Sequence, residues 1–164
     1  QDTELYKNLY IDIIDSTKFI AKNKLKIINI DFNITFEIVT ILLFCIFFGQ
    51  KNKKNIDLKN KNQILMNIFT EDIDHSLRLS GLDMTLGKYV KSYLKKFYFR
   101  ISELDAIFNS KKYSKFLQYL NNYNLCPQTI DDYELNLLFN KFFILIERSQ
   151  KQVNIRYLFD GLFN

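Results

Sequence analysis

Seven apolar residues, Leu86, Val90, Tyr93, Phe97, Ile101, Leu104 and Phe108, recur at intervals of four, three, four, four, three and four. That spacing follows the turn of an α-helix, whereas a strand would return to the same face every second residue. The stripe predicts one long amphipathic helix of about six turns. Opposite it, Lys88, Lys91 and Lys95 stand at i, i+3 and i+7, flanked by Lys96 and Arg100, with Tyr98 and Phe99 beside them. Cations in such a row repel one another, a cost that an alternating Glu–Lys face avoids. The row reads either as a solvated face or as a one-sided field suited to an acidic or polyanionic partner. Tyr98 and Phe99 read as added core contacts, as stacking platforms for RNA bases, or as cover for a partner's apolar patch.

Helical periods recur elsewhere. Residues 4–21 place Leu5, Leu9, Ile13 and Ile20 on one face, and residues 62–79 do the same with Leu65, Ile68, Phe69, Ile73 and Leu77. Shorter helices are predicted over 113–123, ending before Pro127, and over 131–150. Thr129 to Asp132 resembles a capping box with Asp in place of Glu. Asp83 or Thr85 is the expected cap of the long helix after Gly81. The run IVTILLFCIFF at 38–48 is too short to cross a bilayer core, which takes about 20 residues, and is read as part of a buried core helix over 35–48. Gly49 is its expected stop and Cys45 an inert buried thiol. The tail NIRYLFDGLF docks as a last helical turn or lies across a partner. With only four glycines and one proline, a turn-dense β architecture is excluded. The fold expected is all-α, a single-domain bundle of about six helices over residues 1–164.

The net charge of +5 is unevenly placed. Residues 50–62 carry +4 and residues 83–115 carry +5, while the other segments are slightly acidic. The first basic segment, Lys- and Asn-rich without an apolar period, is read as a solvated loop, with a phosphate-binding or acidic-surface role as the alternative. Residues 1–20 alternate charged and apolar positions and form no signal-peptide core.

The chain is poor in the groups that enzymes use. His75 is the single histidine, and Cys45 and Cys126 are far apart, so no four-ligand zinc pattern or disulfide framework arises. The acids Glu71, Asp72 and Asp74, and again Asp131, Asp132 and Glu134, fit helix starts or polar faces and have no catalytic partner at useful spacing. No P-loop, nucleophile elbow or calcium loop is present. The reading is non-enzymatic, with no catalytic residue, metal or cofactor.

Residues 68–108, IFTEDIDHSLRLSGLDMTLGKYVKSYLKKFYFRISELDAIF, resemble the core of the ubiquinol–cytochrome c chaperone family. The family pattern has an acidic turn ending in D-x-x-L-R, matched by Asp74, Leu77 and Arg78. A Gly- and Asp-containing turn follows, matched by Gly81 and Asp83, then a helix entry at Lys88. The last element, F-Y-G-R, is matched by Phe97, Tyr98 and Arg100. Leu79 stands where the family has an acid, the turn is one residue shorter, and Phe99 replaces the glycine, where its ring is expected to fill space left for close backbone approach.

The resemblance implies an assembly chaperone for cytochrome b and the bc1 complex (complex III). It implies a mitochondrial location at the inner membrane or matrix side, or an alphaproteobacterial cytoplasm. Implied partners are cytochrome b or a bc1 assembly intermediate, a small helical partner protein and the ribosome, with the chain peripheral to the membrane and not spanning it. Partner-binding residues on this reading are Asp74 and Arg78 as an i, i+4 pair orienting the turn, Lys88, Lys91, Lys95 and Arg100 as an electrostatic face, and Phe97 and Tyr98 as packing or contact residues. Two alternatives stand beside it: a chaperone-like fold retained as a permanent subunit of a respiratory complex or ribosome, and a basic RNA-binding module.

Overall fold

The computed structural model describes residues 2–81 and 86–164. The expected caps Asp83 and Thr85, the Asp of the family-like turn and the Leu86 side chain lie outside the described residues. Six α-helices and no strand are present among those described, an all-α single-domain bundle. The helices are α1 (Asp2–Phe19), α2 (Phe32–Gly49), α3 (Ile56–Leu79), α4 (Leu86–Ser110), α5 (Tyr113–Asn122) and α6 (Asp132–Gln150). A π-helical turn, Ile20–Lys24, prolongs α1, and a 3-10 turn, Ile155–Tyr157, follows α6.

The fold is organised around α2. Every residue from Phe36 to Ile46 is buried, so this helix is enclosed on all sides by its neighbours, chiefly α1, α4 and α6. Its length and mean hydropathy of 2.1 would suit a membrane span, yet from Phe36 to Ile46 the apolar surface is covered by protein. Each fully buried Leu, Ile or Phe contributes roughly 1.5–3 kcal/mol over its exposed state, so these residues form the thermodynamic centre of the bundle. Around α2, aromatic rings gather at two levels of α4. Phe36, Phe69 and Phe97 join α2, α3 and α4 with centroids 5.2–6.0 Å apart. Farther along, Phe108 meets Phe44 of α2 at 5.3 Å and Phe139 of α6 at 5.1 Å, with Phe116 of α5 stacked on Phe139 at 4.6 Å.

Several boundaries differ from those read in the sequence. α2 starts at Phe32 because Asp31 caps it, accepting a hydrogen bond from the Ile34 amide at 2.9 Å. α3 starts at Ile56, so the Lys- and Asn-rich segment is loop only over 50–55. Asn55 caps the helix, accepting from the Asp57 amide at 2.9 Å, and the Asp57–Lys61 pair braces its first turns. Those turns are largely solvated, which is why they show no apolar period. At α6 the cap is Asp131, accepting from the Tyr133 amide at 3.1 Å, not Thr129. The tail docks on this same chain, burying Leu158, Phe159, Leu162 and Phe163, while Arg148 donates to the Leu158 and Asp160 carbonyls at 3.1 and 2.9 Å.

Gly49 is the last residue of α2, and its role is spacing rather than a left-handed stop. A Cβ built there would lie 2.5 Å from the Ile146 carbonyl oxygen and 2.9 Å from the Gln150 amide nitrogen, both backbone atoms of α6. The close approach lets Ser149 donate to the Ile46 carbonyl at 2.6 Å. Gly49→Ala should therefore force α2 and α6 apart and lower stability by about 1–3 kcal/mol. Thermal unfolding followed by circular dichroism would check this, and an unchanged midpoint would refute the spacing role.

Candidate functional site

α4 presents two chemically distinct faces. Phe97, Leu104 and Phe108 are buried against the core, with Ile101 half-buried beside them. Lys88, Lys91, Ser92, Lys95, Tyr98, Phe99, Ser102 and Ala106 are exposed. At 100° per residue these eight fall within one arc of the helix, so they form a continuous outer strip. No carboxylate among the described residues pairs with Lys88, Lys91 or Lys95. Lys96 lies to one side, with its ammonium 4.6 Å above the Tyr93 ring.

Two residues assigned to this surface from sequence sit beneath it. Phe97 is 1% exposed, wedged against Phe69, and acts as a core residue. Arg100 turns inward: Nε donates to Glu37 Oε1 at 2.9 Å and Nη2 to Oε2 at 3.0 Å, in a bidentate pair whose side chains are 12% and 11% exposed. Its guanidinium carbon lies 3.6 Å over the Tyr123 ring, and Tyr123 in turn donates to Glu103. The cause is Glu37, a single acid in a helix buried all round, which requires a cation in a geometry that only a guanidinium supplies bidentately. Burial, the largest single influence, pulls the Arg100 pKa down, but the hydrogen bonds and charge of Glu37 outweigh it and the net shift is upward. The clasp joins α2 to α4 and, through Tyr123, to the end of α5.

The other assigned residues lie where a partner can reach them. Tyr98 is 63% exposed, resting edge-on against Phe97 at 5.3 Å. Phe99 is 60% exposed, so it fills no interior space, contrary to expectation; the ring joins the outer strip. Asp74 and Arg78 pair at 3.0 Å on the surface near the end of α3. Leu79 beside them is exposed. Glu37 and Tyr123 had no part in the sequence-based site; the signal for Glu37 was a lone carboxylate immediately before the apolar run.

Titratable chemistry is sparse. His75 is exposed, and no group of three or more His, Cys, Asp or Glu side chains gathers to hold a metal among the described residues. Burial pushes the Cys45 thiol up, as suits an inert core residue. Burial, with the hydrogen bond to Glu103, pushes Tyr123 up to about 12, and burial raises Tyr10 and Tyr119 as well. Tyr10 also donates to Asp72 at 2.5 Å, tying α1 to α3.

A family model described as ubiquinol-cytochrome C chaperone matches residues 28–139, about two-thirds of the chain, from the loop before α2 into α6. No curated protein and no solved structure matches.

Two outcomes follow from the clasp and its tyrosines. Arg100→Met should cost about 3–5 kcal/mol because it strands the Glu37 carboxylate, whereas the double variant Glu37→Met, Arg100→Met should recover most of that loss. Chemical denaturation of both variants tests this, and equal losses would refute it. Stability should also fall as pH rises from about 10 towards 12: unfolded tyrosines release their protons near 10, while Tyr123 in the fold holds its proton to about 12. Denaturation midpoints that stay level across that window would contradict the tyrosine assignment.

Proposed function

The chain belongs to the ubiquinol–cytochrome c chaperone family, and from that premise we propose that it is a non-enzymatic assembly chaperone acting on cytochrome b and the bc1 complex. The observation that carries the reading is the α4 outer strip, lysines and two exposed aromatics on a helix locked from beneath by the Glu37–Arg100 clasp. A rigid helix with unpaired cations and apolar rings is suited to hold a partner without transforming it. Lys88, Lys91, Lys95 and Tyr98 form the contact face, Asp74 and Arg78 shape its edge, and Phe97 and Arg100 support it from below. The partners on this reading are cytochrome b or a bc1 assembly intermediate and a small helical protein. The place of action is the mitochondrial inner membrane or a bacterial membrane, at its periphery, with the ribosome close by.

One pair of observations favours permanent residence in a complex instead. Leu79 and Phe99, the two substituted positions of the family pattern, are 77% and 60% exposed, and a large apolar side chain outside the core is well served by lasting cover.

The deciding experiment is isolation of the tagged chain in mild detergent. Cytochrome b or a bc1 intermediate should be recovered in substoichiometric amount, and Lys88→Glu, Lys91→Glu and Lys95→Glu together should reduce that recovery at least about fivefold. Recovery of none of these proteins would overturn the chaperone reading. Stoichiometric recovery with a mature complex or ribosome would favour the permanent subunit, and recovery of RNA with steep salt dependence would favour nucleic-acid binding.

A further inference from the structure

Two depressions adjoin where the end of α2 meets α3 and α4. One, of about 250 Å3, is walled by Phe47, Met66, Phe97, Tyr98 and Ile101, with Lys59 among its lining residues. The second, of about 380 Å3, is lined by Lys51, Lys53 and Lys54 and shares Phe47, Lys59 and Asn62 with the first. Together they make one groove, lined by four lysines and no carboxylate. Lys51 is engaged already, its ammonium 3.9 Å above the Phe48 ring and 3.3 Å from Asn109 Oδ1. No carboxylate among the described residues pairs with Lys53, Lys54 or Lys59. The groove brings the two basic segments together: Lys53, Lys54 and Lys59 come from the first, and Tyr98, one turn beyond Lys95, from the second.

We infer that this groove seats an acidic, amphipathic helical segment of a protein partner. An aliphatic or aromatic side chain of that segment enters between Met66 and Tyr98, and its carboxylates face Lys53, Lys54 and Lys59. Charge complementarity selects the acid, since a cationic rim without an internal counter-ion attracts an anionic segment, repels a basic one and gives a neutral one no advantage. The apolar walls favour a peptide: the Met66 thioether and the Ile101 and Phe47 side chains match an aliphatic anchor, as in other helix-in-groove complexes, whereas stacked bases would use only flat exposed rings such as Tyr98. The inference rests on the chaperone reading for the groove's biological use and names the chemistry of the partner.

The test uses the full chain and a fluorescein-labelled helical peptide of about 20 residues, with Leu at i, i+3, i+4 and i+7 and Glu on both flanks. The peptide should bind, and Lys59→Glu and Tyr98→Ala, both at exposed positions, should each weaken binding about tenfold with unchanged circular dichroism. A peptide with Lys in place of every Glu should not bind. Absence of binding, binding indifferent to both substitutions, or displacement of the peptide by single-stranded RNA would overturn the assignment. If the peptide fails to bind while the unmodified chain still recovers cytochrome b, the groove assignment falls and the chaperone reading stands. If the peptide binds as expected while no bc1 component is ever recovered, the reverse holds.

Discussion

Enclosure of the central stretch of α2 is the constraint on which the rest depends. A helix buried from Phe36 to Ile46 must be met by apolar surface on every side, and α1, α4 and α6 supply it. The same enclosure takes in the Glu37 carboxylate, whose oxygens need hydrogen-bond donors in that setting. Arg100 answers it from α4, on the same side as the buried stripe of Phe97, Leu104 and Phe108. Lys91 precedes Arg100 by nine residues, roughly half a turn around the helix, and Lys88 and Lys95 fall on the same side as Lys91. Pointing the guanidinium inward therefore points the lysine row outward.

Function follows from that rotation. The clasp and the Phe69–Phe97 contact hold α4 against α2 and α3, so the outer strip is presented on a stiff support. Between α3 and α4 the packing stops short of closing, leaving apolar side chains at the base of a groove rimmed by lysines. Exposed Tyr98 belongs to both features, which makes the strip and the groove neighbouring parts of one surface.

Helices with a clear apolar period were legible in advance because their burial is one-sided: α4, α5 and α6 lie where the spacing of their apolar residues put them. The opening turns of α3 were not, since solvated residues such as Ile56 and Lys59 form helix there through the Asn55 cap and local pairing, with no stripe to announce it. Misplaced side chains have a similar origin. Arg100 looked like one more cation of the row because the row and the inward pair differ only in azimuth, and Glu37, its partner, is 63 residues away in the chain. Phe99 looked like interior filler because a bulky ring replacing glycine normally competes for space; its position on the outer arc of α4 removes that competition.

By itself, the sequence determined the all-helical architecture, the buried run in α2, the lysine row and the family, since each is written in local spacing, composition or an ordered motif. Tertiary structure alone decided which of the motif residues face a partner. It turned Arg100 and Phe97 into supports, placed Phe99 and Tyr98 on the surface, and joined two basic segments separated in the chain across one groove. The physical reason is that helical period defines a face without defining what that face meets. For Arg100 a single buried carboxylate, reaching across the bundle for its cation, made that choice.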